Sequence, residues 1–221
     1  SGINKASKRE CKNFLKKIIN FTKYPLTELE NITATEIAKT MENSFRAVNI
    51  AFIEEWTILC EKLNINLKKI VDTIKQRPTH KNMMYPGFGV GGYCLTKDPL
   101  LTDSSAKLII KNKNLKFQFS KLAIKTNNSM PLRLFEIIKL NLKNKLSNKK
   151  ILLCGAAYKE EVDDTRNSPS LVLYKKLINK KAIFIKADIK NKLKIKKIIK
   201  DFKINSIIHL AAYLNVSEAE K

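Results

Sequence analysis

Residues 85–101 read YPGFGVGGYCLTKDPLL, a glycine-dense stretch that ends in Cys94, Lys97 and Asp98. Gly87, Gly89, Gly91 and Gly92 let backbone amides come close to a ligand and take up positive-φ conformations that a Cβ disfavours. Cys94 sits among those amides, three residues before a cation and four before a carboxylate, surroundings that suit a nucleophilic sulfur. If the residues after Cys94 open a helix, Asp98 comes within reach of whatever the sulfur binds. Spacing alone fits a flexible turn around a buried free cysteine equally well.

Upstream, Glu36–Cys60 (EIAKTMENSFRAVNIAFIEEWTILC) predicts one long helix. Ile37, Val48, Ile50, Ile53 and Leu59 recur along it, and glycine and proline are absent. Thr33 and Glu36 have the spacing of a capping box at its start. Lys39 and Asn43 are spaced i, i+4 and share a face; taken alone, such a pair is ordinarily a solvated surface pair. Downstream, Lys150–Gly155 reads as a buried strand leaving into a loop. AYKEEVDDTRNSP follows, then a helix over Ser168–Leu177 with Ser168 as cap and Pro169 at the first helical position. Lys159 and Arg166 in that loop read, by themselves, as two more exposed cations.

The three blocks together resemble the nucleotide-sugar dehydrogenases, the family that oxidises UDP-glucose, UDP-N-acetylmannosamine, GDP-mannose and relatives to uronic acids. GVGGYCLTKDP is similar to the family's catalytic loop throughout, with Tyr93 where many members carry histidine. The long helix resembles the family's central helix, and DDTRNSP the start of its C-terminal nucleotide-binding domain. The resemblance runs from about Ser1 to Leu177 in the family's order. It implies a two-step oxidation of a sugar C6 alcohol with NAD⁺, in which Cys94 captures the aldehyde and the resulting thioester is hydrolysed. It places Lys39 and Asn43 at the developing oxygen charge, with Asp98 holding or activating the water. It puts Tyr85, Gly87, Phe88, Gly89, Val90, Gly91, Tyr158 and Lys159 at the substrate, and Lys97 and Arg166 at the NAD. It also implies a homodimer through helix 33–63. The YK…DDTR form leans toward a UDP-hexose or UDP-N-acetylhexosamine.

The family's amino-terminal Rossmann fingerprint, G-x-G-x-x-G between a strand and a helix with an acidic residue beyond it, is not found in this sequence. Gly87, Gly89 and Gly92 have the spacing but not the strand before them. Residues 1–23 look like the tail of that domain. At the far end, residues 181–221 resemble an internal piece of the NAD-dependent epimerase/dehydratases, with Asp188, Ile189 and Leu210–Ala212 in the matching pattern. A junction near Asn179–Ala182, joining pieces of two sugar-nucleotide genes, is the expectation there.

The predicted fold class is mixed α and α/β, an all-helical central dimerisation domain followed by a partial Rossmann-like α/β domain. The expected division is 1–30, the tail of an NAD-binding domain; 31–146, the helical catalytic and dimerisation domain; 147–180, the start of a UDP-binding α/β domain; and 181–221, the epimerase-like piece. A length of 221 residues allows a sizeable core. A formal charge of +23 raises nucleic acid or an anionic membrane as partners. Yet the lysines are scattered, and the densest run, Lys186–Lys203, carries no nucleic-acid signature, so neither partner is expected. A non-catalytic helical module or gene remnant, and a basic nucleic-acid-binding protein, stand as alternatives.

Cys11, Cys60, Cys94 and Cys154 form no C-x-x-C pair, and only His80 and His209 could join them, so no metal site is expected. Cys60 and Cys154 read as core residues, Cys11 as a helix-face residue, and Trp56 as a core or subunit contact. Free thiols and the lack of a long apolar run point to a reducing cytoplasm.

Overall fold

The longest element of the computed structural model is a helix of 31 residues, α2 (Ile32–Lys62), against which three later helices pack. The structure describes residues 2–112, 114–159, 162–179, 191–204 and 206–210. Before α2 comes α1 (Lys5–Ile18), closed by a reciprocal capping box between Asn4 and Ser7 and held to the next loop by Lys8 and Lys12 on Glu28. After it come α3 (Leu67–Lys75), a 3₁₀ turn (Pro78–His80), α4 (Cys94–Leu108) and α5 (Gln118–Asn141). Strand β1 (Ile151–Cys154), α6 (Pro169–Ile178), α7 (Lys192–Phe202) and β2 (Ser206–His209) complete the described elements. The mixed helical and α/β class read from the sequence is the class found.

Helix α2 starts earlier than its apolar period suggested, and its cap is Asn31, whose side chain accepts the Ala34 N–H at 2.8 Å. Thr33 lies inside the helix and the expected Thr33–Glu36 box does not form, because Asn31 already occupies the cap position. The face turned to α4 and α5 is made of Asn43, Ala47, Ala51, Glu54 and Thr57, small or hydrogen-bonded residues that let helices approach closely. The large side chains Ile37, Met41, Phe45, Phe52, Trp56, Leu59 and Leu63 lie on the opposite side of the 3.6-residue repeat and are exposed. Of the apolar residues that marked the helix in the sequence, Ile53 is buried while Ile37 and Leu59 are not. Ile53 and Cys60 join Leu67 and Val71 of α3 in one small core.

Between α2 and α5, Arg133 forks onto Glu54 at 2.6 Å and Glu61 at 2.7 Å. Burial pushes the Glu54 carboxyl up and the guanidinium pulls the other way. Asp103 on α4 is gripped by Lys107 at 2.8 Å and by Lys121 of α5 at 2.7 Å.

The α/β part shares its core with α5. Phe135 and Ile138 of α5 pack with Leu146, with Ile151 and Leu153 of β1, and with Leu173 and Leu177 of α6. The alternate residues Leu152 and Cys154 face the other way onto Ile198 of α7. All four β1 residues are therefore buried, as expected of a strand covered on both faces in a parallel α/β arrangement. β1 and β2 pair in parallel from Ile151–Ser206 to Cys154–His209, and the Leu210 N–H extends the ladder to the Cys154 carbonyl at 2.8 Å. Ser168 precedes Pro169 at the start of α6 as expected, but its hydroxyl makes no capping bond. Asp188, Ile189, Ala211 and Ala212, on which the epimerase likeness rests, lie outside the described residues.

Two stability measurements test this packing. Leu173 is 0% exposed in the shared core, so Leu173→Ala should lower unfolding free energy in urea titrations, by about 2–5 kcal/mol. Lys107, then Lys121, hold the Asp103 carboxyl down to about 2 from its ordinary 3.8. A folded-state value below the unfolded one stabilises above the unfolded value, and that stabilisation disappears as pH falls through the folded value. Melting temperatures should therefore fall between pH 3.8 and 2 in the wild type and less steeply in Asp103→Asn.

Candidate active site

The glycine-dense loop reaches α4 as a strap pinned on three sides. On the α2 side, Asn49 Nδ2 donates to the Asn82 carbonyl at 3.3 Å and its Oδ1 accepts the Met84 N–H at 3.1 Å. On the α3 side, Lys75 Nζ donates to the Met83 carbonyl at 2.8 Å, and the Tyr85 hydroxyl donates to Asp72 at 2.8 Å. That bond pushes the Tyr85 hydroxyl above its ordinary pKa, and Lys75 stands 4.6 Å from the ring centre. On the third side, the segment before α6 closes over the glycines. A Cβ on Gly91 would collide with the Tyr158 Cβ, and one on Gly92, at φ +78°, would lie 2.7 Å from the Tyr158 ring. The Gly92 N–H donates to the Arg166 carbonyl at 2.9 Å.

This strap delivers Cys94 as the first residue of α4, exposed and free. No side chain caps that helix start, so its leading amides remain for solvent or a ligand. Asp98 follows at i+4, on the same face as the cysteine. There it meets α2, where Asn43 Nδ2 donates to Asp98 Oδ2 at 2.7 Å. Asn43 is 1% exposed, so the pair is fixed from the helix side. Lys97 Nζ lies 3.8 Å from Asp98 Oδ1 and 4.3 Å from the centre of the Tyr93 ring. Arg166, forked onto Asp164, lies 5.9 Å from the same ring. One exposed aromatic ring is thus flanked by two cations.

The sequence-derived residues do not all converge. Asn43, Asp98, Cys94 and Lys97 cluster, and Arg166 joins them through Tyr93. Lys39, a turn before Asn43, is exposed and pairs with Glu42 at 2.7 Å. Lys159 is exposed, and Tyr158 serves as the lid over Gly91 and Gly92. Tyr85 is turned to α3. The loop separates two cavities. Gly87 and Phe88 line one of about 410 Å³ beside Glu61 and Arg133. Val90 lines the other, of about 560 Å³, with Tyr93, Lys97, Asn127, Asn128 and Asn167. Gly89, at φ +151°, abuts Pro169. The glycine triplet Gly87, Gly89 and Gly92 follows a 3₁₀ turn and a loop rather than a strand, consistent with its rejection as a dinucleotide fingerprint.

Reading the sequence missed Asn127 and Asn167. Asn127 is buried inside α5 and donates to the Ala47 carbonyl at 3.0 Å; an asparagine in a helix interior is itself a signal of a tertiary partner. Asn167 has a left-handed backbone at φ 51°, a conformation asparagine tolerates in turns. Among the described residues no three His, Cys, Asp or Glu side chains gather as a metal site.

A long helix thus presents asparagine to the aspartate of a cysteine-bearing helix, and an α/β unit closes the glycine loop. Residues 33–129 match the central domain of the UDP-glucose/GDP-mannose dehydrogenase family, and the likeness supports the nucleotide-sugar dehydrogenase family for this chain. It is 36% identical over 154 residues to the UDP-N-acetyl-D-mannosamine dehydrogenase of Campylobacter jejuni, covering 70% of this chain and 36% of that protein. The solved UDP-D-ManNAc dehydrogenase of Pyrococcus horikoshii superposes with a TM-score of 0.66 at 30% identity, covering 80% of this chain and 41% of that one. A UDP-glucose dehydrogenase from Pyrobaculum islandicum superposes at 0.71 over 91% of this chain and 45% of its own; at 20% identity it speaks for the fold alone. The chain spans less than half the length of these relatives.

The glycines make a paired test. Gly92→Ala places a Cβ at positive φ against Tyr158 and should lower unfolding free energy, by roughly 1–3 kcal/mol. Gly87 has nothing within 4 Å of its Cβ position, so Gly87→Ala should change stability little; urea titration of the two variants separates them.

Proposed function

We propose that this chain forms the reactive centre for NAD-dependent oxidation of a UDP-sugar, a UDP-hexose or UDP-N-acetylhexosamine, at its C6 alcohol. The observation that carries the reading is the Cys94–Asp98–Asn43 arrangement, a free sulfur at a helix start, one turn from a carboxylate anchored by a buried amide. Cys94 adds to the C6 aldehyde as a thiohemiacetal, which on losing hydride would leave the acyl group on the sulfur as a thioester. Asp98, its orientation fixed by Asn43, holds the water that hydrolyses it. Asn43 and Lys39 answer negative charge at the C6 oxygen; Lys39 reaches it by leaving Glu42, an exposed pairing of small worth. Val90 and the glycine amides of the loop, with Tyr158 and Lys159 nearby, receive the sugar nucleotide.

The residues present fit NAD. Lys97 and Arg166 beside the Tyr93 ring supply two cations and a stacking surface, the complement of a diphosphate carrying flat bases. When bound, NAD⁺ would accept the electrons of each oxidation as hydride. The UDP-N-acetyl-D-mannosamine dehydrogenases named above support the substrate class. The apolar stripe on α2, with Phe52 and Trp56 edge to face at 6.1 Å, supports a homodimer through that helix. Four free cysteines agree with a reducing cytoplasm, and no described helix is long and apolar enough to cross a membrane.

Alkylation of cysteines, followed by mass spectrometry, tests the reading directly. A UDP-sugar should slow labelling of Cys94 while Cys11, exposed on α1, reacts at its own rate. Equal labelling of Cys94 with and without every UDP-sugar tried would contradict the assignment.

A further inference from the structure

We propose that Asn167 is a positioning residue for Cys94, so that the segment before α6 sets the first turn of α4. This inference rests on the reading of Cys94 as nucleophile. Gly92 is buried, and consecutive residues of that segment take both of its backbone polar groups. Its N–H donates to the Arg166 carbonyl at 2.9 Å, and its carbonyl accepts from Asn167 Nδ2 at 3.0 Å. The same Nδ2 reaches Thr96 Oγ1 at 3.3 Å, while the Thr96 hydroxyl is placed to donate to the Gly92 carbonyl at 2.9 Å or the Tyr93 carbonyl at 3.1 Å.

Asn167, Gly92 and Thr96 therefore close a hydrogen-bonded clasp, and Cys94 lies in the chain between its two α4-side members. Asparagine reaches the clasp from a left-handed backbone, φ 51°, that few other side chains adopt without strain. Tyr93, at the cap position of α4, contributes no capping side-chain bond, so this helix start is tied down from outside itself. The peptide that carries Arg166 beside Tyr93 thereby also holds the turn that aims the sulfur. The cation assigned to NAD and the geometry of Cys94 are mechanically joined through adjacent residues.

The test is the rate of iodoacetamide labelling at each cysteine, compared among the wild type, Asn167→Gly and Thr96→Val. Glycine keeps the left-handed backbone without strain, so that variant removes the amide alone. Cys11 is the exposed reference, and the buried Cys60 and Cys154 report general opening of the fold. The Cys94-to-Cys11 rate ratio should fall by about fivefold in both variants, the worth of one hydrogen bond, with Cys60 and Cys154 still protected. An unchanged ratio overturns the proposal. So does a fall accompanied by labelling of Cys60 and Cys154, which would mean only a loosened fold. If UDP-sugars fail to protect wild-type Cys94 yet the ratio falls, the functional reading fails and the positioning role stands. If protection holds and the ratio does not move, the positioning role fails by itself.

Discussion

The 2.7 Å hydrogen bond from Asn43 to Asp98 is the constraint on which the site is organised. It crosses from the buried face of α2 to the first turns of α4, and both side chains come out of water to make it. A buried amide accepts this cost only when its donor is used, and a carboxylate at 16% side-chain exposure is held far more firmly by a partner than without one. Once Asp98 is placed, Cys94 is placed too, because one helical turn separates them. The glycine loop then has to enter α4 from a fixed direction, and its left-handed Gly92 is the residue that makes the bend. Tyr158 and Asn167 fill the space that the missing side chains leave, which is how the α/β part becomes necessary to a site built mainly on helices.

Cys94, Asp98 and Asn43 stood out in the sequence through their resemblance to the family's motifs, where spacing alone left a flexible turn and a solvated surface pair open. Lys97 and Asp98 follow Cys94 within a turn, and the helix that carries Asn43 is unbroken by glycine or proline. What joins distant segments was not legible. The meeting of Asn43 with Asp98 is separated by 55 positions, and nothing in local pattern fixes it. The resemblance implies Tyr85 at the substrate, and its hydroxyl bonds Asp72 on α3, a helix whose packing the sequence does not announce. Thr33 had the spacing of a cap and lost the role to Asn31, a residue of greater capping strength two positions earlier. Strand β1 was readable as an apolar run, since a strand covered on both faces shows no alternation.

The two faces of α2 divide the labour of the chain. Small and hydrogen-bonded residues face α4 and α5, so the reactive side chains stand close to the helix axis. The large apolar side chains stand outward, where the account places a second copy of the chain. Periodicity detects both faces alike, which is why a helix of this kind reads as amphipathic while its core face is the less apolar one. The positive charge has no comparable focus among the described residues; lysines spread over α1, α3 and α7 are a general attraction for anions.

The most direct measurement is a crystal structure of the protein grown with a UDP-sugar. The account predicts the sugar C6 within bonding reach of the Cys94 sulfur, with Asp98 and Asn43 beside it and the loop glycines against the sugar nucleotide. A sugar nucleotide seated away from Cys94, or a Cys94 sulfur turned away from Asp98 when the ligand is bound, would contradict it.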